Sequence, residues 1–126
     1  MPVISISISE ELLREADEAS KRYGYGGRSG IFRAALHSLL SELREHRLSG
    51  YIDAILLVVH GRQHEEEVSR VKHEFESVIT TQIHSHLQNE KCLNIFILRG
   101  DGKRIGEMVK IFRGDRKIDY VKLVLP

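Results

Sequence analysis

From Val3 to Ile8 apolar and polar side chains alternate, which places Ile4, Ile6 and Ile8 on one face of an extended strand and Val3, Ser5 and Ser7 on the other. A single strand at this position has no partner within its own segment, so the pattern calls for a second copy of the chain. The period then lengthens. Ser9 is placed to cap a helix whose first turn carries Glu10 and Glu11 and whose apolar side is Leu12, Leu13, Ala16 and Ala19. Gly24, Gly26 and Gly27 break that helix. A second helix, capped by Ser29 and running to about Glu45, carries Ile31, Phe32, Ala35, Leu36, Leu39, Leu40 and Leu43 at helical spacing.

Leu48-Ser49-Gly50 reads as a short linker between two domains, 1–48 and 51–126, and beyond it the pattern changes. Residues 51–60 form a near-continuous apolar run, the signature of a buried strand, and His64 to about Glu76 is polar and helical. Two strands, Val78 to Leu87 and Cys92 to Leu98, flank a tight polar turn at Gln88 to Glu90. A helix over Lys103 to Phe112 and a strand over Asp119 to Leu125 complete the order βαββαβ, the ferredoxin-like or ACT-like arrangement. The fold class expected is α+β.

Strand, helix, helix in fifty residues is too little chain to enclose a core alone, whereas two such units sharing a paired ribbon can do so. In that order, and with Gly24-Tyr25-Gly26-Gly27-Arg28-Ser29 before the second helix, the first half resembles the ribbon-helix-helix family of repressors.

Charge neither supports nor excludes such a role. The chain carries a formal net charge of +1, so any cations that meet nucleic acid have to be clustered. The longest apolar run, Ala54 to Val59, is too short to span a bilayer, and no charged-then-apolar leader opens the chain. The single cysteine, Cys92, cannot close an internal disulfide, which fits a reduced, cytoplasmic setting.

The candidate chemistry lies in the second half. His84 and His86 are two apart in an expected strand and share a face, and a turn at Gln88 to Glu90 sets Cys92 nearly opposite His86. Gln82, Asn94 and Phe96 fall on the same side, while Ile79, Ile83, Leu87, Leu93, Ile95 and Ile97 fall on the other. The more apolar side is the one expected under the two helices, leaving His84, His86 and Cys92 on the open face. Imidazole with thiolate suits Ni, Cu, Zn or Co. Surface histidines beside a half-buried cysteine are the plain alternative. A Cys-His nucleophile is a third reading, but no orienting acid is evident near Cys92, so no enzyme is expected.

A further pattern decides among these. His73, then His84-Ser85-His86 eleven residues later, then Cys92 six residues after His86, resembles the metal-site signature of nickel-responsive regulators, with Leu98-Arg99-Gly100-Asp101 following. The resemblance covers nearly the whole chain. It implies Ni(II), one per subunit, in a square plane of His73, His84, His86 and Cys92. It also implies a homotetramer, a dimer of dimers, in which His73 comes from a different chain than the other three ligands. The partner implied is double-stranded operator DNA, met by Val3, Ser5 and Ser7 on the ribbon and by Arg28, Ser29 and Gly30 at a phosphate. Where the family has a basic residue, Val3 stands. Where it has two acids that help hold a cation between the domains, this chain has Gly30 and Ala34, so that cation site is expected to be absent or altered. His60 and His64 match no family role, and His37 and His46 read as solvated helix residues. The rival readings are a sensor of another metal (Cu, Co or Zn), a sensor of a small metabolite, and a metal-storage protein without DNA recognition.

Overall fold

The computed structural model describes residues 1–45 and 48–126. His46, read from the sequence as a solvated helix residue, lies outside them. The chain divides into two compact units, Met1–Arg47 and Leu48–Pro126.

The first unit holds two helices, α1 (Glu10–Tyr23) and α2 (Gly27–Glu45). As its side-chain type dictates, Ser9 caps α1, accepting a hydrogen bond from the Leu12 amide at 3.1 Å. Gly24 ends the helix in the left-handed conformation that glycine adopts without strain, and its amide returns to the Ser20 carbonyl. The start of α2 differs from expectation. The helix begins at Gly27, two residues before Ser29, because the hydroxyl of the buried Ser20 accepts from the Gly27 amide at 2.9 Å. A cap supplied from another helix is not visible in local sequence spacing. Gly30 also has a steric reason: a Cβ there would collide with the Tyr25 carbonyl, so no larger side chain has room in this turn.

Residues 1–9 form no ladder within the single chain, and Val3, Ile4 and Ile6 are exposed there, as are Leu36, Leu39, Leu40 and Leu43 along α2.

The second unit is a four-stranded antiparallel sheet in the order β2-β3-β1-β4, from β1 (Tyr51–Gly61), β2 (Ile79–Leu87), β3 (Lys91–Asp101) and β4 (Ile118–Val124). Helix α3 (Glu65–Glu74) joins β1 to β2, and α4 (Gly102–Gly114) joins β3 to β4. The order βαββαβ is thus present. Both helices pack on one sheet face. Val68 of α3 and Ile105, Met108, Val109 and Phe112 of α4 meet Ala54, Leu56, Val58, Phe96, Leu98 and Leu123. Burying such side chains is worth roughly 1.5–3 kcal/mol each. Leu48, at the expected linker, packs against this core, and the Gly102 amide donates to the Gly50 carbonyl at 2.8 Å. Backbone passes so close to Gly102 that a Cβ would stand 2.8 Å from the Leu48 carbonyl carbon.

The covered face is the opposite of the one expected. Cys92, Asn94, Phe96 and Leu98 are buried under the helices, whereas Ile83, Leu87 and Ile97, on the other side, are 50%, 43% and 40% exposed. Two causes combine. Both faces carry large apolar residues, so hydrophobicity alone does not choose between them. The polar residues that argued against burial are satisfied internally: the Asn94 amide donates to His60 Nε2 at 2.9 Å, His60 Nδ1 lies 2.8 Å from the Gly61 carbonyl, and Gln82 Nε2 donates to Asn94 Oδ1 at 2.7 Å. Ile79 is a separate case. A register shift between Ile79 and Thr81 breaks the strict alternation, and Ile79 packs with the core.

Candidate metal centre

The β2–β3 hairpin builds most of the centre. Its turn spans Gln88 to Glu90, with Asn89 and Glu90 at positive φ, and this length pairs His86 with Cys92 and His84 with Asn94. Both histidines therefore stand on the helix side of the sheet. They remain exposed, on β2, an edge strand of the sheet. Cys92, one strand further in, is fully buried. The Cys92 Sγ and His86 Nδ1 atoms are 3.6 Å apart, and the two imidazole rings lie 5.3 Å apart between centroids.

A fourth donor completes the group. Glu65, the first residue of α3, places Oε1 3.3 Å from His84 Nε2 and 3.6 Å from Cys92 Sγ. The donor atoms of Glu65, His84, His86 and Cys92 all lie within 4.8 Å of one another. Two imidazoles, a thiolate and a carboxylate make a borderline-soft set that fits a first-row divalent ion. The sequence reading missed Glu65. The signal available was its place in the first turn after a strand, but three consecutive acids stand there, and only the fold tells which one faces the hairpin. Glu67 instead pairs with Lys117 at 2.7 Å.

The acid beside Cys92 that the sequence did not reveal also reopens the nucleophile reading. Full burial weighs against it. Desolvation pushes the Cys92 thiol above its usual range, and the Glu65 carboxylate raises it further by accepting its hydrogen bond and by its charge. A catalytic thiol needs the reverse shift and access to substrate.

His73 is not part of this group. It lies at the last turn of α3, exposed, with Nδ1 3.0 Å from Glu76 Oε1. Beside it, the Arg104 guanidinium covers the Phe75 ring at 4.0 Å and donates to the Glu74 carbonyl, which fixes the end of α3. A cavity of about 460 Å³ opens next to the centre, lined by His60, Glu65, Lys72, Gln82, His84 and Asn94 among others. His60, given no role from sequence, is thus a buried, hydrogen-bonded member of the wall behind the site.

In the first unit, Ser5, Ser7 and Val3 lie in the exposed stretch before α1, and Arg28, Ser29 and Gly30 occupy the first turn of α2. Arg28 forms a two-pronged ion pair with Asp17 of α1, at 2.9 and 3.0 Å. No helix among the described residues is long and apolar enough to cross a membrane.

Residues 54–125 match the family model described as the NikR C terminal nickel binding domain. This defines the second unit as a nickel-binding domain of the regulator type. Over 124 residues the chain is 36% identical to a Methanopyrus kandleri protein named "Putative nickel-responsive regulator", covering 96% of this chain and 88% of that one. Proteins of the same name from Halobacterium salinarum and Methanocaldococcus jannaschii are each 32% identical over 127 residues, covering 95% and 98% of this chain and 89% and 90% of theirs. The chain belongs to the family of nickel-responsive regulators. An uncharacterised Thermotoga maritima protein shares the fold, with a TM-score of 0.55 at 19% identity over 60% of this chain and 98% of its own.

Proposed function

We propose that the chain is a DNA-binding repressor whose operator affinity is set by Ni(II), one ion per subunit, in a homotetramer built as a dimer of dimers. The observation that carries this reading is the meeting of His84, His86 and Cys92 at one edge of the sheet, in a chain of the nickel-responsive regulator family. Three ligands from one hairpin leave a position for His73 of the partner subunit. Three nitrogens and one thiolate suit a square-planar Ni(II) ion. His84, His86 and Cys92 of one chain and His73 of the partner subunit would hold the ion, and that shared set would link the two subunits. Cys92 must release its proton to ligate, and the carboxylate beside it is placed to accept that proton.

The first unit supplies the reading head. Residues 3–8 of two chains pair as a ribbon, which covers Ile4 and Ile6 and turns Val3, Ser5 and Ser7 toward base edges in the major groove. The leucines of α2 pack against the second copy. At the start of α2, the free amides near Ser29 and Gly30 hold a phosphate with the help of the helix dipole, and Arg28 joins them by exchanging Asp17 for it. Metal changes operator affinity only by as much as it binds the two arrangements of the reading heads differently. The setting is cytoplasmic, where Cys92 stays reduced.

The test is the metal content and absorption spectrum of the purified protein loaded with Ni(II). A thiolate-to-metal charge-transfer band that disappears in Cys92→Ala supports the ligand set; an unchanged band in that variant removes it.

A further inference from the structure

We propose that Glu65 is a ligand of this metal centre in its own chain, forming with His84, His86 and Cys92 a four-donor site for divalent ions of tetrahedral preference, such as Co(II) and Zn(II). The inference rests on the reading above only in taking the hairpin residues as ligands.

An acid in a first helical turn has an ordinary explanation, since the helix dipole favours negative charge there. Glu66 and Glu67 satisfy that preference equally. Glu65 differs in where it points. Among the described residues its polar partners are His84 Nε2 and Cys92 Sγ, the atoms that bind metal, whereas Glu67 is spent on Lys117.

The spacing of the donors favours the tetrahedral arrangement. With metal–donor bonds of about 2.0–2.3 Å, neighbouring donors stand roughly 3.3–3.8 Å apart around a tetrahedron, but only about 2.8–3.2 Å apart along the sides of a square. Three of the six separations, 3.3 Å for His84–Glu65, 3.6 Å for Glu65–Cys92 and 3.6 Å for Cys92–His86, fall in the range of tetrahedral edges, and all four donor atoms lie within 4.8 Å of one another. The carboxylate also carries a negative charge that His73 lacks, so the set of one thiolate and one carboxylate neutralises a divalent ion without a second subunit. The centre thereby offers two fourth ligands: Glu65 in the same chain, and His73 of the partner subunit. An ion's preferred geometry selects between them, and only the second choice links subunits.

Co(II) and Ni(II) titrations of the full-length wild type, Glu65→Gln, His73→Ala and Cys92→Ala separate the possibilities, with circular dichroism confirming each fold. Glu65→Gln is expected to lower Co(II) affinity at least tenfold and to weaken the visible bands of tetrahedral Co(II), while retaining Ni(II). His73→Ala is expected to do the reverse. Wild-type Co(II) affinity and spectrum in Glu65→Gln, or no tetrahedral Co(II) signal in the wild type, overturns the proposal. Unchanged Co(II) and Ni(II) binding in Cys92→Ala overturns instead the hairpin site on which both readings stand.

Discussion

His60 of β1 and Asn94 of β3 are diagonal neighbours in the sheet, both buried, with the Asn94 amide donating to the His60 ring at 2.9 Å. The bond closes a chain from Gln82 through Asn94 and His60 to the Gly61 carbonyl. Asn94→Leu strands the His60 nitrogen in the core, and an unsatisfied buried acceptor costs roughly 1–3 kcal/mol. Equilibrium denaturation of the metal-free protein is expected to show this loss. An unchanged midpoint means that the network carries no net stability.

Cys92→Ala is expected to weaken Ni(II) binding by orders of magnitude while leaving the fold intact, because Cys92 is the one soft anionic donor of the centre. The pH dependence follows from the raised thiol. Burial first, and Glu65 second, hold Cys92 protonated beyond its usual range, so metal has to displace a proton and affinity rises with pH through neutrality. In the metal-free protein, Glu65→Gln removes the charge and the charged acceptor. Its thiolate is then expected to appear at lower pH, read from ultraviolet absorbance. The same shift in both proteins leaves burial as the sole cause.

Ser5→Ala and Ser7→Ala are expected to reduce discrimination between operator and random DNA, each lost base contact being worth roughly 1–3 kcal/mol. Arg28→Ala is expected to weaken binding to every sequence and to flatten its salt dependence. Serine variants with full specificity place the reading head elsewhere.

Sharing of the centre between subunits is open to a mixing experiment. His73 is exposed and bonded to Glu76, outside the cluster, while His84 and His86 stand open at the sheet edge. His73→Ala and Cys92→Ala proteins, each defective alone, are dissociated and reassembled together. In shared sites a Cys92→Ala chain lends its His73 to a His73→Ala chain, and part of the native Ni(II) spectrum returns. Mixed oligomers that recover nothing place His73 outside the site.

The hairpin was legible in the sequence because it is local: turn length and a two-residue period set His86 opposite Cys92 whatever the rest of the chain does. The order of elements in the second unit was legible for the same reason. Three things were not. Which sheet face the helices cover depended on His60 and Asn94, 34 residues apart in sequence, satisfying each other, and no window around Cys92 shows that. Glu65 reaches Cys92 from 27 residues away, and the cap of α2 comes from Ser20 on the preceding helix. Each miss concerns a polar side chain whose partner is set by tertiary contact.

Because β2 is the outermost strand of the sheet, one of its edges has no neighbouring ladder within the chain. Such edges fray, and their amides exchange with solvent through local openings that cost far less than unfolding the molecule. His84 and His86 lie on that strand, Cys92 on the next and Glu65 on a helix. An ion held by all four, as proposed, would rivet this edge of the sheet. Hydrogen exchange at Ile79 to Leu87 is then expected to slow on loading, because the strand opens only when a donor lets go.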